Sequence, residues 1–171
     1  MNVTLVRRLT KNAIMLALLC VIGMFALPLG DNIKVSLQLL IVLIIGLTAT
    51  TVFDALIVTS LYLVLGLFMP IYAGFSAGIS PTFGFVISFA VIVVPLYFLN
   101  RLKIKNQFIR MGLACFVALI LCYAIGALFL ALYLNLNIEK ALLIAVVPYL
   151  PFDVAKIIIA TLIVSLLPKK S

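Results

Sequence analysis

Apolar runs of membrane-spanning length follow one another along this chain, and they restrict its fold more than any motif does. From Val35 to Phe68 the one charged side chain is Asp54. From Phe108 to Leu134 it is Arg110, and from Ala141 to Leu167 only Asp153 and Lys156 carry charge. A helix of about 20 apolar residues crosses the hydrocarbon core of a bilayer. The sequence therefore reads as an all-α integral membrane protein, a single transmembrane domain over residues 1–171 with little outside the lipid. Composition agrees, at 67% hydrophobic, 9% charged and a mean hydropathy of +1.45. There is no room for a soluble ATPase module and no G-x-x-x-x-G-K phosphate loop.

Punctuation divides the runs into six transmembrane helices, at about 11–27, 35–47, 51–68, 82–99, 108–134 and 139–167. Arg7, Arg8 and Lys11 precede the first, but no small-residue cleavage site leads into a soluble domain, so it reads as a membrane helix rather than a signal peptide. Pro28 and the polar loop Gly30–Lys34 end it. The break at Gly46-Leu47-Thr48-Ala49-Thr50-Thr51 makes a hairpin of a short and a longer helix, with Asp54 near a membrane face. Pro70, Gly74, Gly78 and Pro81 mark residues 69–81 as a loop. It carries no charge, so it is expected to fold back onto the protein as an outer lid.

Nine of the twelve Lys and Arg residues fall on one side of this layout: Arg7, Arg8, Lys11, Arg101, Lys103, Lys105, Arg110, Lys169 and Lys170. Lys34 and Lys140 fall on the other side, and Lys156 lies within a span. By the positive-inside rule both termini are cytoplasmic. The same distribution accounts for the net charge of +8 without nucleic acid as a partner. Cys20, Cys115 and Cys122 all lie in apolar segments and read as small buried residues rather than disulfides. With no histidine and four acidic residues, neither a metal centre nor a cofactor nor histidine base catalysis is expected.

Asp153 and Lys156 share one helix face inside the last apolar run, just beyond Pro148 and Pro151, which should bend or break the helix. Ionisable residues at membrane depth are costly. Two readings fit: a self-neutralising pair that ties helices together, or a polar site for a small solute in a cavity that the broken helix lines.

Three stretches carry a resemblance to a known family. Ser36-Leu37-Gln38 opens the second helix. Leu65-Gly66-Leu67-Phe68-Met69-Pro70-Ile71-Tyr72-Ala73-Gly74 leads to Ser80-Pro81-Thr82-Phe83-Gly84-Phe85, and Pro151-Phe152-Asp153-Val154-Ala155-Lys156 lies in the last helix. Together they resemble the BioY family, the biotin-specific substrate-capture (S) components of energy-coupling factor (ECF) transporters. Ser80, Phe83 and Phe85 depart from that family's usual glycine, glycine and tyrosine.

The resemblance implies a six-helix S-component bundle in a prokaryotic plasma membrane. It would bind biotin from outside and associate with a transmembrane coupling subunit and two ATPases. Ala13 and Ala17 match the A-x-x-x-A face such subunits offer the coupling protein. Biotin has a carboxylate, a ureido group and an apolar bicycle, so its site needs a cation, an acceptor and apolar walls. Lys156 suits the carboxylate, Asp153 the ureido N–H groups and Gln38 either end, with Tyr72, Phe75 and Tyr149 as walls. The alternatives are an S component for another vitamin, a small intramembrane enzyme using Asp153 and Lys156 as base and acid, or a channel or proton-coupled carrier. No nucleophile–base constellation supports an enzyme, and no internal repeat supports an inverted-repeat carrier.

Overall fold

The computed structural model describes residues 3–28 and 34–167. The loop tip with Asp31 and Asn32, and Lys169 and Lys170 at the C-terminus, lie outside the described residues. The elements in order are α1 (Val3–Met24), β1 (Ala26–Pro28), β2 (Lys34–Ser36), α2 (Gln38–Thr48), α3 (Val52–Phe68), α4 (Phe83–Leu99), α5 (Gln107–Leu134), α6 (Ile138–Ala145) and α7 (Leu150–Leu166). β1 and β2 pair antiparallel, with Ala26 opposite Ser36.

Among the described residues seven helices stand where six were expected, because the stretch 139–167 is broken. α6 and α7 meet at a bend of 57° across the turn that holds Pro148. Pro151 falls in the first turn of α7, where no intrahelical donor is lost. The first helix also starts earlier than expected, at Val3 rather than near Lys11, and stops at Met24. Among the described residues α5 is the one single helix long and apolar enough to cross a membrane, with the bent pair α6–α7 a second candidate. α2 has 11 residues, about 16 Å of helix.

α2 is the centre of the bundle. It is apolar on every side, and all of Ile41 to Leu47 is buried against α1, α3, α4 and α7. α4 and α5 form the most extensive pair, and small residues make their approach close. A Cβ on Gly84 would sit 2.2 Å from Phe129, and one on Gly126 2.3 Å from Phe85. The outer faces of α1, α3, α5 and α7 expose Ile14, Val21, Ile57, Leu61, Phe116, Ile120, Ile158 and Leu162. An apolar exterior of this extent is a surface for lipid or for partner protein.

A buried helix needs partners for its terminal carbonyls. Those of α2 and the turn after it are met from two sides. Asn100 Nδ2 donates to Leu47 O at 2.9 Å, Lys11 donates to Thr48 O, and Arg101 donates to Ala49 O at 3.2 Å. Arg101 stacks on the Tyr97 ring at 3.3 Å. Cations are favoured at a helix C-terminus. The next helix begins with a capping box, in which Asp54 and Thr51 exchange bonds. Asp54, 5% exposed, also accepts from Asn12 Nδ2 at 2.8 Å and Arg8 at 3.1 Å. Arg8, Lys11 and Asn12 lie on one face of α1, so this collar fixes α1 against the α2–α3 turn. It lies at the end of the bundle that carries Arg101 and the other basic residues of the α4–α5 loop.

Asp54→Ala removes the Asp54 half of the capping box and the bonds from Arg8 and Asn12, and leaves the Thr51 cap on the residue 54 N–H. A cap is worth about 1 kcal/mol, of which part is lost, and hydrogen bonds to a charged group about 1.5–3 kcal/mol each. Allowing for the partial exposure of Arg8, the expected loss is on the order of 3 kcal/mol, or about 6–12 °C in the melting midpoint. Thermal denaturation in detergent measures it, and a midpoint within about 2 °C of the parent would contradict the role given to the collar.

Candidate ligand-binding site

At the opposite end of the bundle a cavity of about 340 Å³ opens among α2, α4, α5, α6 and α7. Small-ligand pockets fall at roughly 300–1,000 Å³. Its walls are mostly apolar, from Leu39, Val86, Phe89 and Leu130, and its polar groups come from only a few positions. The break between α6 and α7 places Tyr149 and Ala145 on the wall and opens α7 toward the cavity with Asp153 in its first turn. A carboxylate there is favoured by the helix dipole.

Asp153 and Lys156 are both buried and both line the cavity. Lys156 Nζ donates to Asp153 Oδ1 at 2.5 Å, and Tyr123 of α5 donates its hydroxyl to Oδ2 at 2.6 Å. Each carboxylate oxygen thus has a donor, while Lys156 keeps N–H groups beyond the one it gives to Asp153. Across the cavity Gln38 Nε2 donates to the Tyr62 hydroxyl at 2.5 Å, which donates to Ile71 O at 2.9 Å. That relay fixes the Gln38 amide and ties the loop after α3 to the start of α2.

The uncharged loop 69–81 does fold back onto the bundle. Gly74 N donates to Met24 O and Gly78 N to Gly66 O, both at 2.9 Å, and Tyr72 is only 3% exposed. The Tyr72 ring lies on Gly66, where a Cβ would come within 2.0 Å of it, and its hydroxyl donates to Leu63 O. Tyr72 packs edge-on against Tyr62, and Phe83 lies against Tyr72 and Phe129. Phe85 also reaches the cavity wall from its seat on Gly126.

Gln38, Tyr72, Tyr149, Asp153 and Lys156, singled out in the sequence, therefore surround one cavity. Phe75 does not join them. Gly74 and Phe75 take left-handed backbone, with φ of 72° and 58°. This turn sends the Phe75 ring outward, 60% exposed and edge-on to Phe25 at 6.0 Å. Its expected place as a pocket wall is corrected. Ala13 and Ala17 lie exposed, one turn apart on α1. Among the described residues no group of three or more His, Cys, Asp or Glu is placed to hold a metal.

Tyr123 was not singled out. It sits in an apolar helix with no local signal, and its partner lies 30 residues away.

Comparison with known proteins bears on the whole chain. Over 168 residues it is 29% identical to a protein of Thermotoga maritima described as "Biotin transporter BioY", covering 95% of this chain and 96% of that one. Over 156 residues it is 30% identical to a "Probable biotin transporter BioY" of Pyrococcus horikoshii, covering 88% and 90%. Its fold resembles the crystal structure of the S-component for biotin from an ECF-type ABC transporter, with a TM-score of 0.84 at 23% identity over 96% of this chain and 92% of that one. The model of the BioY family matches residues 1–171, and this chain belongs to that family.

Proposed function

We propose that this protein is the biotin-capture component of an ATP-driven ECF transporter, binding biotin from the outer face of a prokaryotic plasma membrane. The observation that carries the reading is the buried Asp153–Lys156 pair in the wall of a cavity of small-ligand size, within a family whose relatives are described as biotin transporters. Those names also speak for a carrier rather than an enzyme. The apolar exterior of the helices supports a membrane location, and the bacterial and archaeal relatives support a prokaryotic one.

In this reading Lys156, with N–H groups to spare, meets the biotin carboxylate. Asp153, bonded to Lys156 at 2.5 Å, lies at the same end of the ligand, Gln38 across the cavity takes the ureido end, and Tyr72 and Tyr149 flank the bicycle. A charge-assisted hydrogen bond is worth roughly 1.5–3 kcal/mol. Lys156→Ala should therefore weaken biotin binding on the order of 10–150-fold in calorimetric titration and abolish any preference for biotin over its methyl ester. If the pair only ties α7 in place, removing one partner strands a buried charge and costs about 3–5 kcal/mol of stability. The double variant Asp153→Asn/Lys156→Ala would then fold and bind biotin as the parent does, and that result would remove both residues from the site.

The nine-to-two distribution of basic residues supports cytoplasmic termini and an outward-facing cavity. With Cys20, Cys115 and Cys122 replaced, a cysteine at Lys140 should label with a membrane-impermeant thiol reagent in intact cells, and one at Lys103 should not. The opposite pattern would turn the cavity to the cytoplasm.

Ala13 and Ala17 present a small-residue stripe on the exposed side of α1, and the collar on the other side keeps that helix in place. This supports α1 as the docking face for the transmembrane coupling subunit, which works with two ATPases. Replacing both alanines with leucine should abolish ATP-driven uptake in cells and leave biotin binding by the purified protein within about twofold of the parent. Normal uptake, with the complex still purifying intact, would clear this face of the role.

A further inference from the structure

Of the three side chains in the buried polar cluster, Tyr123 is the one contributed by a different helix. Lys156 and Asp153 are neighbours on α7 and would meet in any helix, whereas Tyr123 comes from α5. Among the described residues, its bond to Asp153 is the one hydrogen bond that joins α5 to α7. An aspartate carboxylate turns easily about its terminal torsion, which has broad, roughly two-fold preferences. Held by Lys156 alone, through one oxygen, it is free to rotate and carry the flexible lysine head with it. Held by Tyr123 through the second oxygen, it is fixed at two points, and the lysine head is fixed with it. The Tyr123 ring is itself only 9% exposed, so the hydroxyl is aimed by packing before any ligand arrives.

We infer that Tyr123 is a positioning residue of the ligand site: it fixes the Asp153 carboxylate, and through it the Lys156 ammonium, in the geometry that receives the ligand. The inference rests on the reading of Asp153 and Lys156 as ligand contacts and adds to it a residue that acts through them. Tyr123 also takes up the second oxygen of Asp153. The polar surface offered to the ligand is consequently richer in the donors of Lys156 than in free carboxylate lone pairs.

The test is a double-mutant cycle with biotin as the titrant and the melting midpoint recorded for each variant. Tyr123→Phe removes the hydroxyl and keeps the ring. In the parent background it should weaken biotin binding about tenfold. In the Asp153→Leu background, where no acceptor is left for the hydroxyl, the same change should cost no more than about twofold. Equal losses in both backgrounds would mean that the hydroxyl meets the ligand directly, or supports the cavity generally, and would overturn the inference. So would a Tyr123→Phe protein that binds as the parent does while Asp153→Leu is weakened, or one that no longer folds, since the bond would then be a structural tie. If Asp153→Leu itself binds biotin normally, it is the ligand-site reading that fails, and Tyr123 fails with it.

Discussion

A helix that is apolar on all sides can be buried completely only if something else satisfies the backbone at its ends. α2 sets this condition for the whole molecule. Its carbonyl end is met by Lys11 from α1 and by Asn100 and Arg101 from the end of α4, while the turn beyond it passes directly into the Thr51–Asp54 cap of α3. Its other end is organised by Ser36, whose hydroxyl accepts from Gln38 N at 3.0 Å, and by the Gln38–Tyr62–Ile71 relay. Each unsatisfied group in lipid would cost several kcal/mol. The partners therefore do more than decorate the helix ends. They decide where α1, α3 and α4 stand, and so how the proposed docking face and the cavity are held in one frame.

The cavity survives inside a close-packed bundle because glycine and aromatic residues interlock around it. Tyr72 lies on Gly66, Phe129 on Gly84 and Phe85 on Gly126, each ring filling the space that a side chain would have taken. Rings seated in this way are locked by packing and need no polar contact with the ligand to stay in place. The wall to which Tyr72 and Phe85 contribute is mostly apolar, and the charged groups on it are confined to α7.

Much of this was legible in the sequence, where the signal was local. Asp153 and Lys156 are conspicuous because charge is rare in an apolar run, and Pro148 and Pro151 announce the break beside them. α3, α4 and α5 end at Gly, Pro and polar breaks, but α2 begins at Gln38 rather than Val35, the stretch 139–167 divides into two helices, and α1 differs at both ends. There, Arg7, Arg8 and Lys11 look like flanking charge but continue the helix, because Arg8 and Lys11 find partners across the bundle. Pairings between distant segments left no local trace. The link from Tyr123 to Asp153 and the reach of Arg8 and Asn12 to Asp54 depend on helix packing that no window of sequence contains. Phe75 was misplaced for a related reason. Its composition suits a pocket wall, but two successive left-handed residues, not its chemistry, decide which way it faces.

The Asp153–Lys156 pair has an electrical consequence for a carrier cycle. Lys156 is matched by a carboxylate on its own helix, so the empty cavity holds no net charge, and the described residues that line it add none. In the reading proposed above, release of the ligand leaves no unpaired charge behind in the cavity. Whatever charge moves with the occupied cavity is then the charge of its cargo. For a monoanionic ligand that is one negative charge per turnover, and for a neutral one the cavity contributes no charge movement.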